Sequence, residues 1–277
     1  MTQPPLHHYR FCLPFRAVHI QCLNDEQEEI KNAYASGFIV KENGQLFLYT
    51  CWHVATGYDM HKIKTGNNLP DRSIFRVTLQ DCQQPQPGLN VVGGKQSFEI
   101  QLYTEKDGKK IPAWFQDMKD LPCFELNNIN IKVPSWHDVI KLHIPHDICV
   151  SDMQILSDDD ISMNSPMIGD KLYIVGFPYG YSALGLEQPT PIVMTRFLAA
   201  NSVVERTTMD RLMDGPCTHG MSGGPVFVET NNALFLTGIY KGSIYPDYKL
   251  DQKNKETTQL GLYCNMIMWW KDVNKVK

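Results

Sequence analysis

An all-β protein built on barrels is what this 277-residue chain predicts, on three observations. Its 19 glycines and 17 prolines punctuate many short apolar runs, the pattern of strands joined by turns rather than of helices in a bundle. The stretch Val139-Ile140-Lys141-Leu142-His143-Ile144 alternates with the period of two that a strand imposes. A chain of this length hides roughly 70 to 75% of its unfolded surface on folding, enough for two modest cores that share an interface.

Taken in chain order, the first informative element is Leu46-Phe47-Leu48-Tyr49-Thr50-Cys51-Trp52-His53. Its apolar and β-prone residues feed a short turn and leave the His53 imidazole at the lip of a strand. The polar, proline-rich stretch Asp81-Cys82-Gln83-Gln84-Pro85-Gln86-Pro87-Gly88 reads as an insertion that decorates the first half and shapes one wall of a cleft. Lys106-Asp107-Gly108-Lys109-Lys110 is a surface turn. Within the alternating strand, Ile140, Leu142 and Ile144 share the buried face while Lys141 and His143 point away, which puts Asp138 at the strand's mouth. Ser157-Asp158-Asp159-Asp160 is a solvated linker between the halves.

The segment Thr218-His219-Gly220-Met221-Ser222-Gly223-Gly224-Pro225-Val226-Phe227 sets one serine among flexible backbone units able to cradle an oxyanion. A hydroxyl is a poor nucleophile until a base takes its proton, so the order of histidine, acid and serine identifies the catalyst class. All nine histidines precede Ser222. The string Gly220-Met221-Ser222-Gly223-Gly224 fits the nucleophile elbow of α/β hydrolases, but their histidine follows the serine, and here none does. The subtilisin order is met formally by Asp25 ahead of His53, without the surroundings that family uses. The order histidine, acid, serine remains, with His53, Asp138 and Ser222; a different strand register would bring in Asp120 or Asp147 for Asp138.

These residues resemble the trypsin-like serine peptidases of chymotrypsin fold, and within them the HtrA/Deg-like branch. Ser36-Gly37-Phe38-Ile39-Val40 looks like the "GSGF" strand and Tyr49-Thr50-Cys51-Trp52-His53-Val54 like the "LTNAHV" histidine strand. Asp138-Val139-Ile140-Lys141-Leu142 looks like the "DLAVLK" acid strand. Gly169-Asp170-Lys171-Leu172-Tyr173-Ile174-Val175-Gly176-Phe177-Pro178-Tyr179-Gly180 is similar to "GD…IGYPLG", and the serine motif follows in order. The resemblance implies two packed six-stranded β-barrels, a first over 10–150 carrying His53 and Asp138 and a second over 165–277 carrying Ser222. Its strands end near residue 262, and Met266-Ile267-Met268-Trp269-Trp270-Lys271 forms a short closing helix without a PDZ module after it.

The same resemblance implies roles. His53 acts as general base and then general acid, Asp138 orients it, and the N–H groups of Gly220 and Ser222 form an oxyanion hole. Strand Leu236-Thr237-Gly238-Ile239-Tyr240-Lys241-Gly242 forms a substrate wall, so Tyr240, Lys241 and Gly242 bind substrate together with Pro216, which stands where trypsin places its pocket aspartate. Asp214 reaches that pocket only in a longer loop, and an inward Lys241 would favour an acidic side chain. Asn90-Val91-Val92-Gly93-Gly94 imitates an activated N-terminus but follows His53, and is read as an ordinary turn. Met221 stands where zymogen-type enzymes keep an aspartate, so activation does not depend on a new N-terminus.

The remaining classes are excluded one by one. Residues 1–23 show no apolar signal segment, and no run is long enough to span a bilayer. The eight cysteines show no C-x-x-C spacing, which fits free buried thiols and a cytoplasmic location. His137, His143 and His146 lack the spacing of a metal set, so neither metal nor cofactor is expected. A formal charge of −4 argues against nucleic acid as a partner, and a membrane partner is not expected either. The expected partners are a protein or peptide substrate and a regulatory protein that restrains the site. The sequence predicts a serine endopeptidase of narrow specificity; the competing readings are a catalytically silent peptide- or partner-binding module and an esterase using the same residues.

Overall fold

In the computed structural model, residues 13–58, 72–86, 89–116, 123–126, 129–132, 137–162, 165–180, 191–200, 210–244 and 260–265 are described. The protein is all-β, and its described residues form one closed six-stranded barrel, one curled seven-stranded half-barrel sheet and one short α-helix, with a smaller sheet beside them. The half-barrel contains β1 (Val18–Leu23), β2 (Glu29–Glu42), β3 (Gln45–Thr50), β4 (Ile74–Gln86) and β5 (Leu89–Gln101). The helix α1 (Trp52–Thr56) follows β3 directly. Strands β6 (Tyr103–Lys106), β7 (Lys109–Pro112), β8 (Cys123–Leu126) and β9 (Ile129–Lys132) form a separate four-stranded sheet inside the interval between His53 and Asp138.

The half-barrel is completed by β10 (Ile140–His143), antiparallel to β3, and by β11 (Ile155–Leu156), parallel to β2, giving the order β10-β3-β2-β1-β4-β5 with β11 off that path. The closed barrel comprises β12 (Lys171–Gly176), β13 (Ile192–Ala200), β14 (Asp210–Met213), β15 (Pro225–Thr230), β16 (Ala233–Ile244) and β17 (Leu260–Asn265), and runs β12-β13-β14-β17-β16-β15. Among the described residues the two expected barrels are thus a curled half-barrel sheet of seven strands and a closed barrel of six.

Period-two alternation sorts the side chains of the second barrel into two cores. Leu172, Ile174, Val226, Val228, Tyr240 and Tyr263 fill its interior. Tyr173, Val175 and Phe227, their neighbours along the same strands, join a larger cluster with the half-barrel residues Ile20, Phe38, Leu48 and Trp52. One apolar core thus crosses the seam between the halves. Strand β2 lies in that seam, and its residues from 35 to 40 are buried without a break, as a strand covered on both faces must be.

Three local expectations are corrected. Lys141 does not point to solvent: Phe115, bridged to its backbone, sets a ring on that face of β10 6.0 Å from the ammonium, which is buried against Glu42 at 2.6 Å and over the Phe47 ring at 4.6 Å. Residues 90 to 94 are not a turn but part of β5, paired with β4. His53 lies one step past the strand lip, in the first turn of α1. The basic segment 106–110 is a tight hairpin turn with Asp107 and Gly108 both at positive φ, and Asp158–Asp160 forms a 3-10 turn closed by Ser157 and Asp160. The closing helix expected over 266–271 lies outside the described residues. Among the described residues no helix is long and apolar enough to cross a membrane.

Candidate active site

The imidazole is placed by a short helix with an unusual cap. Cys51 enters α1 in extended conformation without a side-chain cap, and Gly57 in left-handed conformation ends it by donating to the His53 carbonyl at 2.8 Å. The first amides of a helix need acceptors, and a distant residue supplies them. Asp138 Oδ1 accepts the His53 N–H at 2.9 Å, and the Asp138 carbonyl accepts the Trp52 N–H at 3.4 Å. The other carboxylate oxygen, Oδ2, lies 2.5 Å from His53 Nδ1. A carboxylate only accepts, so the ring proton sits on Nδ1 and the neutral imidazole keeps its lone pair on Nε2. The Asp138 side chain is 7% exposed and that of His53 28%, so the acid is sealed and the ring reaches the surface.

The serine sits on a turn clamped from outside. The Ser36 hydroxyl donates to the Gly220 carbonyl at 2.7 Å and accepts the Phe177 N–H at 2.9 Å, while the Ser36 N–H donates to the Ser222 carbonyl at 2.8 Å. Two further carbonyls of the turn are pinned: Tyr179 N–H donates to His219 at 2.6 Å and Gly224 N–H to Met221 at 2.9 Å. A trans peptide points its N–H opposite to its C=O. Pinning the carbonyls of residues 219 and 221 therefore turns the N–H groups of Gly220 and Ser222 away from those contacts, and among the described residues neither amide donates a hydrogen bond.

Two glycines are required by this turn. Gly220 has φ +93°, and a Cβ there would lie 2.4 Å from the Phe177 carbonyl. Gly223 has φ +84°, and its Cβ would lie 2.1 Å from the Ser36 carbonyl and 2.3 Å from Thr50 Oγ1. The second contact brings the two candidate segments together, because Thr50 stands three residues before His53 and Gly223 one after Ser222. The Ser222 hydroxyl donates to the Lys241 carbonyl at 3.3 Å; among the described residues it makes no hydrogen bond to His53.

The expected substrate residues have mixed fates. Gly242 faces open space. The buried Tyr240 hydroxyl takes the Cys217 N–H at 3.0 Å and donates to the Cys217 carbonyl at 3.1 Å, tying β16 to the loop before the serine. The Pro216 carbonyl is occupied by Arg196, whose Nε lies at 3.1 Å. Asp214 faces β13 instead, accepting the Phe197 N–H at 3.0 Å. Lys241 is no free cation: its ammonium lies 3.0 Å from both oxygens of Asp210, so the expectation of an acidic substrate side chain loses its basis. Burial alone would pull this lysine below its ordinary range, but the Asp210 carboxylate, with Cys264 and Asp138 behind it, outweighs burial and holds it above.

Thiols line the seam beside the site. Cys51 Sγ donates to the Tyr240 carbonyl at 3.3 Å, and Cys264 Sγ lies 3.6 Å from His137 Nδ1. Burial, reinforced by the negative charge of Asp138, pushes the Cys51 thiol well up, which keeps it protonated and unreactive. Cys51 Sγ and the ligand atoms of His53 and Asp138 lie within 4.8 Å of one another, but the imidazole and carboxylate are engaged with each other. Cys22, Cys51, Cys149 and Cys217 are free, Cys149 exposed and the others buried. Sequence reasoning missed Ser36 and Asp210. The first belongs to a strand motif that had been read only as backbone; nothing near the second in sequence signals a site. No family model matches the chain, and no curated protein matches it either.

Proposed function

We propose that this protein is a serine endopeptidase of the trypsin-like kind, working in a reducing compartment through His53, Asp138 and Ser222. The observation that carries the reading is the double hold of Asp138 on the backbone and ring of His53, on a loop that packs directly against the turn of Ser222. In the reaction, the Ser222 hydroxyl turns from the Lys241 carbonyl toward His53, gives its proton to Nε2, and its oxygen bonds to the scissile carbonyl carbon. Asp138 stabilises the imidazolium that results, and the N–H groups of Gly220 and Ser222 take the oxyanion. The imidazolium then protonates the leaving amine as the C–N bond breaks. Water attacks the acyl-enzyme by the same proton path, releasing the acid and free Ser222.

The unpaired amides on either side of Met221 support the oxyanion role, and the free thiols support a reducing compartment. A resting serine that is bonded to a carbonyl rather than to the base also fits control by a partner protein. That same hydrogen bond favours the second reading, a silent protease-fold module that binds a peptide along β16. A fluorophosphonate probe separates them. The peptidase reading expects labelling of Ser222 that disappears in Ser222→Ala and falls by several orders of magnitude in His53→Ala. Absence of labelling, or equal labelling in native and His53→Ala protein, would mean a binding module. Parallel peptide and ester substrates then distinguish endopeptidase from esterase.

A further inference from the structure

Behind Ser222 lies a buried ion pair that the proton path above does not use. Lys241 is the bulged residue of β16: Tyr240 pairs with Tyr263 and Gly242 with Leu262, leaving Lys241 without a partner in the ladder. Its carbonyl receives the Ser222 hydroxyl and its ammonium turns inward to Asp210, on β14, with side chains only 8% and 10% exposed. Asp138 is close by. The carbonyl of Tyr240, one residue before, accepts from Cys51 Sγ, and that sulfur lies within 4.8 Å of the Asp138 carboxylate. From the other side, Cys264 sits opposite Asp210 in the ladder and touches His137, the residue before Asp138. The buried Lys241 ammonium thus touches one buried carboxylate, Asp210, and feels the charge of a second, Asp138, and only the second is also needed by His53.

We propose that Asp210 is a positioning residue: by keeping the Lys241 ammonium on its own carboxylate it keeps that cation off Asp138, so that Asp138 stays bonded to His53 and the bulge carbonyl stays under the Ser222 hydroxyl. This rests on the peptidase reading for its consequence in rate, but the geometry can be read without any substrate. A buried ammonium stripped of its partner seeks the next carboxylate, because an unpaired charge in the interior is far costlier than a paired one or none. Asp210→Asn therefore draws Lys241 onto Asp138, whereas removing both charges leaves Asp138 to His53.

The test compares native protein with Asp210→Asn, Lys241→Met and the double variant, each as the full chain. The first readout is the low-field proton resonance of His53 Nδ1, assigned with His53→Gln; the second is fluorophosphonate labelling rate, with kcat and KM on a peptide. Asp210→Asn is expected to lose the resonance and about 100-fold in kcat with KM little changed, the scale of a misplaced catalytic group. Lys241→Met and the double variant keep the resonance, and the double variant regains most of the lost rate. Retention of resonance and rate in Asp210→Asn, or a double variant as impaired as the single, overturns the proposal. If Asp210→Asn does not fold, the double variant decides: absence of the resonance from it counts against the idea. A native protein that shows the resonance but no labelling would sink the peptidase reading alone, leaving the resonance to judge Asp210.

Discussion

The half-barrel holds His53 and Asp138 to each other through both oxygens of one carboxylate, whereas the closed barrel presents Ser222 on a turn two of whose carbonyls, those of Gly220 and Ser222, are fixed by Ser36 of the opposite half. On the peptidase reading, one half supplies the acid-base pair and the other a nucleophile whose geometry depends on the seam. This difference teaches where each kind of damage should appear. Changes to the half-barrel pair should remove chemistry with little effect on docking, while changes to the seam should move the serine.

The largest expected effect tests the first part. Asp138→Asn keeps the shape of the side chain but replaces an oxygen acceptor by an amide that can offer a donor to Nδ1, which favours the wrong ring tautomer and leaves the imidazolium without its counter-charge. Loss of about 10⁴ in kcat is expected, with KM little changed. Pre-steady-state hydrolysis of a chromogenic ester measures it. A loss of less than tenfold would mean that Asp138 serves α1 as a cap and nothing more.

A second comparison sharpens the first, because each half buries a lysine against a carboxylate. Lys141 and Glu42 pair inside the half-barrel under the rings of Phe47 and Phe115; Lys241 and Asp210 pair behind the serine. Lys141→Met leaves Glu42 buried without its cation and should destabilise the fold by about 3 to 5 kcal/mol, while Glu42→Gln with Lys141→Met restores most of that. Urea denaturation checks the energies. The labelling rate per folded molecule should stay at the native value in both. A fall in that rate would show that the half-barrel pair also communicates with the site, and the contrast between the two pairs would vanish.

Much of this arrangement was legible in the sequence, for reasons tied to particular residues. His53, Asp138 and Ser222 stand at strand ends, where short apolar runs meet turns, and the order of the histidines left one catalyst class. Local patterning therefore singled them out, and the structure brings His53 and Asp138 into contact. The patterning failed at Lys141, because alternation predicts which residues share a face but not that Phe115 covers the second face. It failed at Asn90 to Gly94, whose glycines suggest a turn but lie within β5, where Val91 and Val92 pair with β4. Ser36 and Asp210 act through contacts with residues far away in sequence, 184 positions apart for Ser36 and Gly220. Such partners belong to tertiary packing, and no period or spacing encodes them.

The smallest expected effect probes the seam through pH. His19, on β1, is buried with its ring edge-to-face on Phe177, at 5.3 Å between centroids, where the chain leaves β12 for the segment whose Tyr179 N–H holds the His219 carbonyl of the serine turn. Burial, aided by the positive charge of Lys95, lowers its pKa from 6.5 to about 4. The folded protein therefore holds this ring neutral while the unfolded chain takes up a proton first as pH falls, so the stabilisation is complete above about pH 6.5 and is lost on the way down to about 4. The full shift corresponds to about 3 kcal/mol. His19→Phe keeps an aromatic edge against Phe177 and cannot titrate, so its unfolding free energy should fall less steeply between pH 6.5 and 4.5 than that of native protein. Comparing the two slopes cancels the carboxylates that titrate in both. Parallel slopes would place the acid sensitivity of the fold in those carboxylates and leave the seam indifferent to protons.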